Sequence, residues 1–211
     1  MFQPPMFNEE RIDVMQKMMR NHPFANLISM QEGEIVADHI PLVIHSELTE
    51  KGVLRGHISR ANPISEKRDE SVDVLVMFSG PHHYITTSWY PSKVTHEKVV
   101  PTWNYIAVHA RGKIKFITDP DWMLAHLSEL TDRNEKERKA PWQVADAPAE
   151  FIRRQFRGII GIEIEITQLQ GTWKTSQNKA KADHQGVIDG LNSESTERAS
   201  VMAVCVAQGK N

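Results

Sequence analysis

The stretch that most restricts the fold is a valine-rich apolar run, Val72 to Phe78, which is followed at once by Gly80 and Pro81. A run of this length and composition predicts a β-strand buried on both faces. Because proline has no N–H to donate, we expect that strand to end there and a second strand to begin at His82. The second strand, His82 to Tyr90, carries aromatic rings and hydroxyls. That mixture suits either plain packing or a flat, partly polar ligand.

Further strands are predicted on both sides of this stretch. Asn104 to Phe116 and Ile160 to Gln168 alternate apolar and polar residues, so each should turn one face to the core. Phe24 to Met30 and Ile35 to Ile44 flank the turn signal Glu32-Gly33, which predicts a hairpin. The strand-rich order favours an antiparallel barrel with helices at its mouths.

Helical signals occur before, between and after the strands. Asn8 precedes an amphipathic pattern, Asp119-Pro120 has the chemistry of a helix start, and Pro148 opens a short helix through Phe156. A last helix is expected from Lys179 to Leu191. At 211 residues, we expect one domain over residues 1–211, with a helical C-terminal extension from about residue 179.

Composition excludes several classes of protein. The net charge of −2 offers no general attraction to polyanions. Cys205 is the single cysteine, so neither an intrachain disulfide nor a cysteine-based zinc site is expected. No apolar run is long enough to cross a bilayer, and the first residues lack the apolar segment of a secretory signal. We therefore expect a cytoplasmic protein without membrane contact.

The strand Gly52 to Ile58 ends in a group of polar donors. His57, Ser59, Arg60 and Asn62 follow one another there, and Arg60 supplies a charge while Ser59 and Asn62 supply neutral donors. Such donors can bind a phosphate. A turn in which Asn62 caps the next helix explains the same residues, and the two interpretations stay open.

A second polar cluster follows the Ile160 strand. Lys174, Thr175, Ser176, Gln177 and Asn178 precede the predicted Lys179 helix, where free backbone N–H groups could add to a phosphate or ring-edge site. Helix capping by Ser176 or Asn178 is the alternative, and it accounts for one residue of the five.

Nothing in the sequence marks a catalytic or metal site. Neither a nucleophile elbow, a Walker loop, a dinucleotide fingerprint nor HExxH occurs. Ten histidines are present, but they lack a short metal-ligand spacing. A basic strand face of Arg111, Lys113 and Lys115 is the local patch that could meet an anion, and a solvated strand face explains it equally well.

Several segments together resemble a known family, the PaiB-like FMN-binding split-barrel proteins that are described as negative transcriptional regulators. The matching segments span residues 1 to about 190 in the family's order. They are His39-Ile40-Pro41-Leu42, Gly56-His57, Asn62-Pro63, Asp73 to Phe78, Gly80-Pro81-His82, Tyr84-Ile85, Ser88-Trp89-Tyr90, Val100 to Tyr105, Val108-His109, Gly112, Gly158, Gly161, Lys174 and Ser176-Gln177-Asn178.

The resemblance implies a six-stranded antiparallel split β-barrel with peripheral helices, which forms a homodimer and holds FMN in grooves between the subunits. It places the FMN phosphate where a strand ends in hydroxyl and cationic residues. The residues that the resemblance assigns to the phosphate are His57, Ser59, Arg60 and Asn62. Those it assigns to the other walls are Trp103, Asn104, Lys174, Ser176, Gln177 and Asn178, with the backbone around His39 along the isoalloxazine edge.

The resemblance leaves three functions open. The first is an FMN-binding transcriptional repressor, which would contact DNA directly or act indirectly. The second is a flavin-dependent oxidoreductase, similar to pyridoxamine-phosphate oxidases or flavin reductases, because FMN needs no protein nucleophile for electron transfer. The third is a haem-binding split barrel. No residue is assigned a catalytic role.

Overall fold

The structure, a computed structural model, describes residues 1–209, and the chain divides into two compact units. The first unit contains Met1–Met18, Ser79–His109 and the chain from Gln170 onward. The second contains Met19–Phe78 and Ala110–Leu169. Three long strands each contribute residues to both units.

Eight strands of the described chain form one sheet in the order β3-β2-β6-β7-β8-β5-β4, with β1 paired to β8. The strands are β1 (Asn8–Glu9), β2 (Phe24–Gln31), β3 (Glu34–Pro41), β4 (Val43–His45), β5 (Val53–Ser59), β6 (Val74–Ile85), β7 (Thr102–Ile117) and β8 (Ile159–Lys174). The expected antiparallel sheet is confirmed, but it has eight strands rather than six. The two additional strands, β1 and β4, span two and three residues, too few to produce a recognisable period of two.

Helices precede, separate and follow the strands along the chain. They are α1 (Ile12–Asn21), α2 (Ile64–Lys67), α3 (Ser92–His96), α4 (Pro120–Glu135), α5 (Ala149–Phe156), α6 (Lys181–Ser193) and α7 (Glu197–Gln208). Asp119 caps α4 as predicted, because its carboxylate accepts hydrogen bonds from the backbone N–H groups of Asp121 and Trp122. No helix within residues 1–209 combines the length and the apolar character that crossing a membrane requires.

Two of the antiparallel pairings in the second unit position the predicted site residues. β2 and β3 form the predicted hairpin, in which Phe24 lies opposite Pro41 and Gln31 opposite Glu34. The turn between them places Glu32 and Gly33 at positive φ, which glycine adopts freely. β5 pairs with β8 from Val53 opposite Glu165 to Ser59 opposite Ile159. This second pairing brings the end of β5 beside the start of β8.

The prediction for β6 was wrong in two respects. The strand continues through Gly80 and Pro81 to Ile85 instead of breaking. Its register with β2 covers Leu75 to Met77, so Pro81 lies beyond that pairing, where a missing N–H is tolerated. Val74, Val76 and Phe78 are buried while Leu75 and Met77 are half-buried, so the run has one core face rather than two.

β7 runs without a break through Gly112, where the sequence suggested a kink. A Cβ atom on Gly112 would lie 2.1 Å from the carbonyl oxygen of Glu165, so glycine allows close approach of two backbones. The alternation of β7 is otherwise as predicted, with Ile106, Val108 and Ile114 buried.

In the first unit α6 and α7 share a core with the end of β6. Ile85, Tyr90, Leu191, Met202 and Val206 are all buried in this cluster. The predicted Lys179 helix begins at Lys181, with Ala180 as its N-cap and no side-chain cap. Capping of that helix by Ser176 or Asn178 is therefore wrong.

Candidate functional site

The predicted site residues fall into two groups, and each group belongs to one unit. His39, His57, Ser59, Arg60 and Asn62 lie in the second unit. Trp103, Asn104, Lys174, Ser176, Gln177 and Asn178 lie in the first. The two groups are described separately below.

In the second unit, Ser59 and Asn62 hold the turn that follows β5. The Oγ atom of Ser59 accepts a hydrogen bond from Ala61 N at 3.2 Å. Asn62 uses both ends of its amide: Oδ1 accepts from Ile64 N at 3.0 Å, and Nδ2 donates to Asp38 Oδ1 at 2.8 Å. The turn interpretation agrees with these bonds, but Asn62 is not the N-cap of α2: Pro63 is, and it makes no side-chain cap.

Arg60 fastens this turn to the junction between α5 and β8. Its guanidinium donates to the carbonyl oxygens of Arg157 at 3.2 Å and Ile159 at 3.1 Å. Its backbone N–H donates to Gly158 O at 2.9 Å. A guanidinium has five N–H donors, so these bonds leave Arg60 donors for a ligand.

Arg60 also lines a pocket of 320 Å³, which we call the Arg60 pocket. Three arginine residues are among those that line it, and most of its wall is apolar. The lining residues are Arg60, Thr118, Pro120, Met123, Arg153, Phe156, Arg157 and Ile159. This combination of positive charge and apolar surface suits a ligand that has an anionic group and an organic body.

Two of the arginines in this pocket were missed by sequence reasoning. Arg153 lies on α5 and Arg157 is its C-terminal cap residue. Their spacing of four residues puts them on one side of the helix, and that spacing was the signal available. Their nearness to Arg60 depends on the pairing of β5 with β8, which no local pattern specifies.

His57 is not among the residues that line the Arg60 pocket. Its Nδ1 atom lies 3.2 Å from Nε2 of His126 on α4. Burial lowers the pKa of both rings, that of His126 to about 4, and the nearby charges of His57, His45 and Arg55 act on His126 in the same direction. At neutral pH both imidazoles are therefore uncharged, and His57 offers no positive charge to a phosphate.

His39 occupies an exposed position on β3, opposite Asn26 of β2. Its ring stacks on that of Phe24, with 6.3 Å between centroids. The neighbouring Asp38 is tied to Asn62 by the hydrogen bond described above. His39 thus lies next to the residue that positions the Arg60 turn.

In the first unit, Asn104 and Ser176 form a fully buried pair. Asn104 Nδ2 donates to Ser176 Oγ at 2.9 Å, and both residues are almost inaccessible to solvent. Ser176 adopts a left-handed backbone with φ of 63°. The pair fixes the β8–α6 connection to β7 rather than presenting donors at the surface.

Gln177 has a similar structural part. Its Oε1 accepts from Thr175 N at 2.7 Å, while Nε2 donates to the carbonyl oxygens of Met6 at 3.1 Å and Trp173 at 2.5 Å. Asn178 is exposed, and within residues 1–209 its side chain makes no hydrogen bond.

Lys174 is hydrogen-bonded to the first two residues of β7. Its ammonium donates to Thr102 Oγ1 and to Trp103 O, the latter at 2.7 Å. Burial and the charge of Lys179 lower the pKa of Lys174.

Trp103 is 52% exposed and Tyr84 45% exposed. Their ring centroids are 5.9 Å apart, and that of His82 lies 6.3 Å from Trp103. We call His82, Tyr84 and Trp103 the aromatic surface. It offers flat apolar area beside a cation.

The structure also bears on metal binding. Within residues 1–209, no group of three or more His, Cys, Asp or Glu side chains is arranged to hold a metal ion.

Comparison with known proteins identifies the family of the chain. The family described as "Putative FMN-binding domain" matches residues 1–168. The chain belongs to this family. The family match, together with the PAI 2 relative described next, confirms the resemblance found in the sequence.

Two relatives of this FMN-binding family member align over nearly its whole length. An uncharacterised protein of Emericella nidulans is 33% identical over 235 residues, covering 95% of this chain and 94% of that protein. The "Protease synthase and sporulation protein PAI 2" of Bacillus subtilis is 30% identical over 203 residues, covering 96% of this chain and 95% of that protein.

Solved structures confirm the split-barrel fold. The "FAD and Heme binding protein" of Mycobacterium smegmatis superposes with a TM-score of 0.60 at 15% identity, covering 83% of this chain and 78% of that one. The "Flavocytochrome Anf3" of Azotobacter vinelandii gives a TM-score of 0.59 at 13% identity, covering 85% and 75%. At these identities the likeness is one of fold.

Proposed function

We propose that the chain binds FMN and that the FMN phosphate lies in the Arg60 pocket. The observation that carries this proposal is the convergence of Arg60, Arg153 and Arg157 on one pocket with an apolar wall. Guanidinium groups pair with phosphate oxygens through two parallel hydrogen bonds and keep their charge at any physiological pH. Membership of an FMN-binding family supports the same ligand.

Ser59 and Asn62 contribute to the phosphate site indirectly, by shaping the turn that carries Arg60. Ser59 and Asn62 use their side chains to close the turn, and this fixes the direction in which Arg60 leaves β5. Arg60 in turn holds the carbonyl oxygens of Arg157 and Ile159. The side chain of Arg60 and the backbone of Arg157 are therefore positioned before the ligand arrives, which lowers the cost of binding. FMN, once bound, supplies one- and two-electron redox chemistry.

The proposal includes a homodimer. Trp103 and Tyr84 leave about half of their surface open, and large aromatic side chains are enriched where proteins meet ligands or partners. A second copy would present this aromatic surface, with Lys174 beside it, to a flavin ring. Asn104, Ser176 and Gln177 would then keep the surface in place from beneath.

Flavin titration of the purified chain tests the proposal. Flavin fluorescence should fall as FMN binds and reach saturation at one FMN per chain, and light scattering should give twice the chain mass of 24.1 kDa. Absence of FMN binding would overturn the proposal. A monomer that still binds FMN would remove the homodimer from it.

We propose a regulatory role for the chain in addition to FMN binding. Its support is the name of the Bacillus subtilis relative, which refers to protease synthesis and sporulation. The basic face of β7 gives limited support to direct DNA binding, because Lys113 on that face pairs with Asp73 at 3.3 Å. Direct DNA binding would lose affinity steeply with added salt. Fluorescence polarisation at low and high salt tests it, and no binding at low salt would make any regulation indirect.

A further inference from the structure

Two pockets of the second unit share a pair of arginines. Beside the Arg60 pocket lies a second pocket of 650 Å³, which we call the Phe151 pocket. Its lining residues are Pro148, Glu150, Phe151, Arg153, Arg154 and Arg157. Arg153 and Arg157 line both pockets, so the two spaces adjoin at these two residues.

The guanidinium charges of the two shared arginines are available to a ligand. Both side chains are exposed, and within residues 1–209 neither guanidinium is paired with a carboxylate or hydrogen-bonded to the chain. The main-chain carbonyl of Arg157 is held by Arg60 at 3.2 Å. One end of Arg157 is thus fixed while its charged end stays available. Two unpaired guanidinium groups one helical turn apart can hold an anion of more than one charge.

The Phe151 pocket differs from the Arg60 pocket in its chemistry. Phe151 is 44% exposed, and the guanidinium carbon of Arg154 lies 5.6 Å from its ring centroid. A purine ring can stack on such a phenyl and guanidinium pair. Glu150 disfavours an anion within this pocket, so a neutral group belongs there and the charge belongs at Arg153 and Arg157.

We infer that the Phe151 pocket takes the adenosine of an adenine dinucleotide and that Arg153 and Arg157 take its pyrophosphate. A linking anion with an organic body on each side fits a pair of arginines that has a pocket on each side. The shared chemistry is an adenosine diphosphate group, found in both flavin and nicotinamide dinucleotides. The inference rests on the proposed function, in which the flavin phosphate uses the Arg60 pocket.

Calorimetric titration of the full chain with ADP, AMP and adenosine tests the subsite. The wild type should bind ADP at least about tenfold more tightly than adenosine, since one strong charge-assisted contact is worth that much. In the double variant R153Q/R157Q that advantage should disappear. Phe151→Ala should weaken adenosine and ADP by the same factor. The control R138Q/K139Q removes two exposed cations outside both pockets and should leave all three affinities unchanged.

Two further titrations distinguish the sources of the adenosine diphosphate. FAD binding more tightly than FMN, with the difference lost in Phe151→Ala, assigns the subsite to a flavin dinucleotide. NADH binding to the flavin-free chain, in competition with FMN and with the same dependence on Phe151, assigns it to a nicotinamide dinucleotide. ADP binding no more tightly than adenosine, while FMN still binds, overturns this inference alone. A chain that binds no FMN overturns the proposed function instead.

Discussion

The Nδ1 atom of His57 lies 3.2 Å from the Nε2 atom of His126. One ring must donate and the other accept, so the hydrogen bond survives only while at least one imidazole is neutral. Trp122 stacks on His126 with 5.2 Å between centroids, and His126 is only 3% exposed. Its Nδ1 atom has no hydrogen-bond partner within residues 1–209. A proton added to His126 would therefore be poorly solvated.

Folding stability is expected to fall as the pH falls from about 6.5 to about 4. The pKa of His126 is lowered to about 4 in the folded chain, so the unfolded state binds more protons in this window. The stabilising contribution of neutral His126 is fully present above the unfolded-state pKa of the imidazole, about 6.5. It is lost as the pH falls from there towards the folded-state pKa of about 4. It amounts to about 3 kcal/mol of unfolding free energy by about pH 4.

Urea denaturation of the wild type and His126→Gln across this range measures the effect. The variant should lose stability less steeply than the wild type. His96→Gln, at an exposed position, should keep the wild-type slope. An unchanged slope in His126→Gln would contradict the assignment.

Exchanging the side chains of Asn62 and Asp38 tests the hydrogen bond between them. Asn62→Asp sets two carboxylates against each other in place of a 2.8 Å hydrogen bond, and it should lower the unfolding free energy by about 2 kcal/mol. The double variant D38N/N62D restores a donor and an acceptor with their positions exchanged. It should recover more than half of the loss in urea denaturation. Asn178→Asp, at an exposed position, should stay within about 0.5 kcal/mol of the wild type.

Gly112→Ala is expected to destabilise the chain strongly. The added methyl would lie 2.1 Å from the Glu165 carbonyl oxygen and 2.9 Å from the carbonyl carbon, so β7 and β8 would have to separate. Overpacking against backbone costs about 3 kcal/mol. Gly158→Ala is the matched control, because its nearest contact would be an ordinary 3.4 Å. Equal melting temperatures for the two variants would count against the close approach.

Much of the fold was predictable because local patterns agreed with it. β7 alternates along its length, and Asp119 with Pro120 has the residue types of a helix start. α7 was missed because valines, alanines and Cys205 occur around the whole helix, which hides a single apolar face, although Thr196 caps it through Ala199 N. The continuation of β6 through Pro81 was missed because it depends on where β2 stops pairing.

The candidate site was predictable in part. The sequence shows that donors gather after β5, but not which side chains the turn itself consumes. Asn62 and Ser59 are used locally, whereas Arg60 also reaches the chain near Arg157, 97 residues away. That contact depends on long-range pairing of β5 with β8. Only the folded chain brings Arg153 and Arg157 to the same pocket.

The most direct test of the flavin site compares FMN with riboflavin, which lacks the phosphate, in the wild type and in Arg60→Ala. Loss of Arg60 also loosens the α5–β8 junction and with it the position of Arg157. The ratio of the two affinities therefore reports on the phosphate site that Arg60 organises, because effects on the flavin ring act on both ligands. The account predicts that the preference for FMN falls at least about tenfold in Arg60→Ala and is unchanged in Lys115→Ala. An equal loss of affinity for FMN and riboflavin would contradict it.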